Sequence, residues 1–177
     1  AVALTASALP QTTPIAESEN FGVIAIRSGS PVHNLAFQAA RSSLLVGAKS
    51  QNSSCDAPGI NSATFYIQDQ ELQLLPSRTS ARPQTIFVDR SGMGMGNIGY
   101  VTGAEPLGEN WETKGWAIDN NELKFDGTGI QACPDAIDGA WSLWLQGSAT
   151  PGWNENCTAI TAAAIKAENP VGCWYTS

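Results

Sequence analysis

The run 85-TIFVDRSGMGMGNIGYV-101 sets Gly94, Gly96 and Gly99 in a G-x-G-x-x-G pattern directly after a strand-like segment. Asp119, twenty residues beyond Gly99, closes a second strand-like run, 115-GWAID-119. In a dinucleotide-binding unit each part has a job. The glycines let the backbone approach a pyrophosphate, the last one opens a helix whose N-terminus holds it, and the acid binds a ribose hydroxyl. Here that helix has no room. Downstream of Gly96, 97-NIGYVTGAEPLGENWETKGW-116 carries four more glycines and Pro106. No nucleotide cofactor is therefore expected. The glycines read as turn and bulge residues that take positive φ, Met93 and Met95 as anchors of the loop on apolar neighbours, and Asp119 as a turn residue before Asn120-Asn121.

Other chemistry is equally thin. A nucleophilic triad needs a base beside its Ser or Cys. The one histidine, His33, lies in 28-SGSPVHNLAF-37 with no nucleophile-elbow motif in the chain; it reads as a hairpin-turn residue. Asp69, Asp89, Asp119, Asp126, Asp135 and Asp138 all fall in or beside turns, where turn chemistry explains them. Neither catalytic residues nor an enzymatic activity are expected. The six tryptophans are different, since aromatic faces bury large areas and also stack on sugar rings. Trp141, Trp116 and Trp174 read as packing residues. Trp111, Trp144 and Trp153 sit where an exposed face could stack on a glycan, with β-glucan or chitin as the expected partner.

Four cysteines, Cys55, Cys133, Cys157 and Cys173, form no C-x-x-C pair and have no histidine nearby in sequence. That favours two disulfides over a metal site. Spacing does not choose among the three pairings; the nested one, Cys133–Cys157 within Cys55–Cys173, is preferred. Asn52-Ser-Ser54 and Asn156-Cys-Thr158 are N-glycosylation sequons, the first in a polar loop and the second with a cysteine at its centre. Residues 1-AVALTASA-8 look like the tail of a secretion signal with an A-x-A site. Residues 9–20 read as a flexible arm, so 1–20 is separated from one domain at 21–177. The net charge of −7, with nine basic residues and no basic cluster, argues against nucleic acid and against an anionic membrane surface. No apolar run reaches the roughly 20 residues that a membrane-spanning helix needs.

Nine alternating or β-branched runs, 21–26, 64–68, 71–75, 85–89, 98–102, 115–118, 122–125, 130–133 and 141–145, are separated by Gly, Pro, Asn, Asp and Ser, which is an all-β pattern. Two alanine-rich segments, 35–48 and 158–168, have helical composition but alternate as strands do, and are assigned to strands. A weak repeat joins 65-FYIQDQELQLL-75 to 116-WAIDNNELKFD-126, with a looser hairpin at 23–37. Three such units suggest a β-trefoil-like closed barrel; a two-sheet β-sandwich is the alternative.

The succession 64-TFYIQDQELQL-74, 86-IFVDRSGMGMGNIGY-100, 115-GWAIDNNELKFDG-127, 131-QACPDAIDGAWSLW-144 and 173-CWY-175 resembles fungal cell-wall proteins of the phialide (phiA) family over nearly the whole chain. More distantly, the order of GWAIDNNELKF, QACP and WSLW is similar to the C-terminal module of yeast cell-wall proteins with internal repeats. The glutamine-bearing repeats that attach those proteins to glucan are absent here. The resemblance implies a secreted glycoprotein of the fungal wall, tied to phialide and conidium development and to stress protection, with allergens among its members. It brings no catalytic residues. It aligns the four cysteines in order and matches Asn52 to a family sequon before the first cysteine.

Overall fold

A computed structural model describes residues 14–80 and 82–177. The expected signal remnant at 1–8 and residues 9–13 of the expected arm lie outside them. The described residues form fifteen strands: β1 (Phe21–Ile26), β2 (Gln38–Ala40), β3 (Ser43–Val46), β4 (Ser54–Cys55), β5 (Phe65–Gln68), β6 (Glu71–Leu74), β7 (Gln84–Asp89), β8 (Asn97–Thr102), β9 (Trp111–Glu112), β10 (Trp116–Asp119), β11 (Glu122–Phe125), β12 (Ile130–Cys133), β13 (Trp141–Leu145), β14 (Thr158–Lys166) and β15 (Cys173–Trp174). Two short 3-10 turns, Ile137–Gly139 and Pro151–Trp153, are the helical parts.

Alternation explains the strands and their burial. In β1, Phe21, Val23 and Ala25 point into the core while their neighbours are half-exposed. The alanine-rich β14 behaves the same way, burying Ile160, Ala162 and Ala164. Alanine's helix preference is small, and burying every second side chain against β1 in a six-residue antiparallel register outweighs it. That pairing also closes the sheet. Antiparallel neighbours run β1-β5-β6-β7-β8-β3-β13-β12-β14 and back to β1, a closed ring of nine strands. Closure removes the free edges that a two-sheet sandwich would leave, so the barrel is the outcome.

The repeated units are hairpins of one design. β5–β6 and β10–β11 have matching registers and two-residue turns, Asp69-Gln70 and Asn120-Asn121, with positive φ at both positions. Such turns twist in the same sense as the strands they join. The third unit is looser: Phe37 N–H donates to the Val23 carbonyl, and Ala25 exchanges hydrogen bonds with Leu35 and Asn34. Gln70 holds two units together, its carbonyl accepting from Gly115 N–H and Trp116 N–H.

Buried glutamines stitch the irregular segments, a role that no sequence pattern announced. Gln84 Nε2 donates to the Tyr175 carbonyl at 2.8 Å and its Oε1 accepts from Tyr175 N–H at 3.1 Å, standing in for a strand neighbour. Gln38 bonds both backbone groups of Ala48. Replacing Gln84 by methionine would leave two buried main-chain groups unpaired. The expected loss is about 2–4 kcal/mol, read as a lower urea midpoint with unchanged m-value.

Residues 15–20 lie against the barrel. Ile15 packs on the core, Ser18 N–H donates to the Ile67 carbonyl, and Lys166 Nζ meets Glu19 Oε2 at 2.6 Å.

Candidate functional site

The glycine loop feeds β8, a strand, so no helix N-terminus stands where a pyrophosphate would need one. Its geometry is built around Asp89. Ser91 donates to Asp89 Oδ1 from both its N–H and its hydroxyl, Gly94 N–H donates to Ser91 Oγ, and Gly96 N–H to the Asp89 carbonyl. A side chain at Gly94 would collide with that carboxylate, its Cβ falling 2.0 Å from the carboxyl carbon. Met95 is half-buried as expected, but Met93 is not an anchor: it is 94% exposed at the loop tip. The turn of loop around Asp89 is held by hydrogen bonds, which need no apolar anchor at that position.

On the outer wall of the barrel, cross-strand pairs run Gln131–Trp144–Asn97–Asp89–Trp111 across β12, β13, β8, β7 and β9. At about 4.8 Å per strand, Trp144 and Trp111 stand roughly 14 Å apart on one face. Trp111 is stacked on Phe87, ring centroids 3.8 Å apart and planes within 1°. A Cβ at Gly108 would lie 2.7–2.8 Å from three atoms of the Trp111 five-membered ring, which puts Gly108 on the opposite face. Both faces of this indole are covered, so Trp111 is corrected from a sugar-stacking ring to a packing one. Trp144 points outward, since Leu143 and Leu145 take the inward positions of β13. Its Nε1 donates to Ser142 Oγ at 2.9 Å, and Gly152 closes on its ring. The next residue, Trp153, is 83% exposed. Trp153 thus follows directly on the glycine that packs against the Trp144 ring. Trp116 and Trp141 pack on the core, as expected.

The acids sit in turns or ion pairs. Arg90 bridges Glu112, through two hydrogen bonds of 2.6 and 2.7 Å, and Asp126, at 3.0 Å, with its guanidinium over the Phe125 ring. His33 Nδ1 accepts from Arg27 N–H at 3.0 Å, closing the loop of the first hairpin unit. Among the described residues no cluster of three or more His, Cys, Asp or Glu side chains could hold a metal ion.

A family model described as PhiA-like secreted protein matches residues 21–176. The chain belongs to this family. Curated relatives called cell wall protein phiA are 52% identical in Aspergillus fumigatus, over 98% of this chain and 93% of theirs, and 51% identical in Aspergillus niger, over 99% and 95%. A relative of the same name from Arthroderma benhamiae is 38% identical over 93% of this chain and 91% of its own. No solved structure matches the chain. This PhiA-like protein is accordingly a secreted protein of the fungal cell wall.

The PhiA-like chain carries the nested disulfides, Cys55–Cys173 and Cys133–Cys157. Both sequon asparagines, Asn52 and Asn156, are exposed, including the one beside Cys157. Three carboxyls are held below their ordinary values: Asp56 by the Ser77 hydroxyl and Arg78 N–H, Glu19 by Lys166, and Glu112 by Arg90. A carboxyl held low in the fold stabilises above its unfolded pKa, and that stability is lost as pH falls through the folded value. The urea midpoint is expected to fall once pH drops below about 4. The decline should be shallow, because the groups are exposed and screened. A midpoint rising on acidification would contradict these pairings.

Proposed function

We propose that this wall protein is non-enzymatic and glycosylated, and that it works by associating with wall polysaccharide, β-glucan or chitin. The observation that carries the reading is the exposed Trp153, next in sequence to the glycine on the Trp144 ring. An indole 83% exposed at a 3-10 turn gives up the burial that tryptophan usually gains, and the apolar face of a sugar ring would recover it. The exposed Asn52 and Asn156 support glycosylation at both sequons.

Two features support a non-enzymatic reading. Glycoside hydrolysis by a carboxyl pair needs one acid kept protonated near neutral pH, usually by burial. Here Glu112 and Asp126 share Arg90, and Glu112 is held ionised. The histidine that could serve as a base spends its Nδ1 on a backbone N–H. A part in phialide and conidium development and in stress protection is proposed on the family resemblance.

The test is retention on insoluble β-glucan and chitin. Trp153→Ala is expected to keep the fold, being exposed, and Trp144→Ala/Trp153→Ala to lower retention about thirtyfold, at roughly 1 kcal/mol for each of two stacking contacts. Equal retention of wild type and the folded double variant would remove the proposed contact. A protein that binds soluble oligosaccharide but washes out of walls with detergent would instead be a lectin-like module.

A further inference from the structure

One groove on this molecule uses neither Trp144 nor Trp153. It has a volume of 560 Å³ and lies over the Cys55–Cys173 disulfide, lined by Ser54, Asp56, Ser77, Thr79, Arg82 and Trp174 among others. That size falls within the roughly 300–1,000 Å³ range of small-molecule sites.

Its floor is rigid. β4 and β15 pair Cys55 with Cys173 and Ser54 with Trp174, and the disulfide doubles the first of these links. Asp56 N–H donates to the Gly172 carbonyl and Ser77 N–H to the Cys173 carbonyl. Gly172 is pressed so closely on Pro76 that an added Cβ would fall 2.0 Å from its carbonyl oxygen, so the two walls meet only because position 172 has no side chain.

The groups on this floor are complementary. Asp56 Oδ1 accepts from Ser77 Oγ at 2.7 Å and Oδ2 from Arg78 N–H at 2.9 Å. A carboxylate has about four acceptor positions, so each oxygen keeps one for a ligand. Arg82 makes no ion pair with a carboxylate among the described residues, and its stem lies on Gly103. It therefore brings a fork of free donors. Trp174, half-buried, adds an indole, and the Ser and Thr hydroxyls can both donate and accept. An anion would meet the Asp56 carboxylate and an apolar ligand would strand the polar groups. A flat ring with several hydroxyls satisfies all of them.

We propose that this groove is a second saccharide site, taking an uncharged hexose or N-acetylhexosamine unit of the wall polysaccharide. The sugar lies against Trp174, and Asp56 and Arg82 hydrogen-bond its hydroxyls. The inference rests on the polysaccharide reading above and deepens it by adding a site on different elements. It also places the exposed Asn52 two residues before the groove's Ser54, so a glycan on Asn52 would stand near its rim.

The experiment is titration of the full chain with β-1,3-glucan hexasaccharide and with chitin hexasaccharide, followed by NMR chemical shifts and calorimetry. Shift changes are expected at Ser54, Thr79 and the Trp174 indole N–H. Arg82→Ala, an exposed substitution, is expected to weaken binding at least about tenfold, as losing hydrogen bonds from a charged donor does. Trp174→Phe should weaken it less, and Trp144→Ala/Trp153→Ala should leave those shifts in place. Unchanged affinity in Arg82→Ala overturns the groove. So does loss of oligosaccharide binding in Trp144→Ala/Trp153→Ala alone, which leaves the polysaccharide reading standing. If neither hexasaccharide binds while the insoluble polymers still retain the protein, the groove again falls and the reading again survives.

Discussion

Replacing Cys55 and Cys173 together by alanine is expected to destabilise this protein by about 2–5 kcal/mol. The bond closes a loop across a sequence separation of 118, against 24 for Cys133–Cys157. On chain entropy the longer loop is worth roughly 5 kcal/mol and the shorter between about 3 and 4. The structure adds a second reason for that order. β4 and β15 are two residues each and form their own two-stranded sheet outside the barrel. Without the disulfide, this segment would rest on the buried Tyr175 ring and on its hydrogen bonds to Gln84, Thr64, Arg41 and Ser42. Urea unfolding of the two double-alanine variants checks this, with the Cys55/Cys173 variant expected to have the lower midpoint. The reverse order would mean that native contacts, and not loop closure, set the contribution of each bridge.

The second large effect is expected at the glycine loop. Gly96→Ala should cost about 2–4 kcal/mol, because the new methyl group faces two penalties at once. The residue has φ +90°, and its Cβ would fall 2.6 Å from the Leu145 carbonyl oxygen. That carbonyl belongs to β13, and Leu145 N–H itself donates to the Gly96 carbonyl, so neither backbone can retreat without opening the barrel wall. Gly99→Ala should behave similarly without the φ penalty, since its Cβ would meet the Ser42 carbonyl oxygen at 2.7 Å and the Phe87 ring. Gly92→Ala is the internal control. Nothing lies within 4 Å of its added Cβ and its φ is not positive, so the midpoint should hardly move, within about 0.5 kcal/mol. Equal effects at Gly92 and Gly96 would show that the loop tolerates side chains. The close packing described around it would then be wrong.

The glycine pattern shows how a motif and its context part company. Gly94, Gly96 and Gly99 are each required, but by three separate neighbours: the Asp89 carboxylate, the Leu145 carbonyl, and the Ser42 carbonyl with Phe87. A nucleotide enters none of these reasons. What could be read along the chain was that no helix follows the loop, and a strand, β8, stands there.

Local pattern carried the strands well. All nine expected runs are strands, and both alanine-rich segments are too, because period-two burial is written directly into the order of apolar residues. The pairs β2–β3, β4–β15 and β7–β9 were harder to see. The turn between β2 and β3 is Arg41-Ser42, both at positive φ, and neither residue type advertises a left-handed turn. Two-residue strands such as β4, β9 and β15 are too short to alternate at all.

The candidate sites divide along the same line. Trp153 could be recognised as a loop aromatic from its Gly and Pro neighbours, and it is exposed. Trp111 had the same local signature but is sandwiched between Phe87 and Gly108, partners 24 and 3 residues away in the chain. The groove over Cys55–Cys173 draws on residues 54–56, on Ser77, Thr79, Ser80 and Arg82, and on Trp174, and no spacing rule links them.

Composition and short-range order were sufficient for a β-rich, exported, cystine-bridged chain, since those properties depend on residue type and on neighbours a few positions away. Ring closure, the disulfide partners, the covering of Trp111 and the assembly of a polar groove waited on the three-dimensional arrangement. Each depends on contacts between segments tens of residues apart, and those contacts are chosen by the competition of all segments for one core.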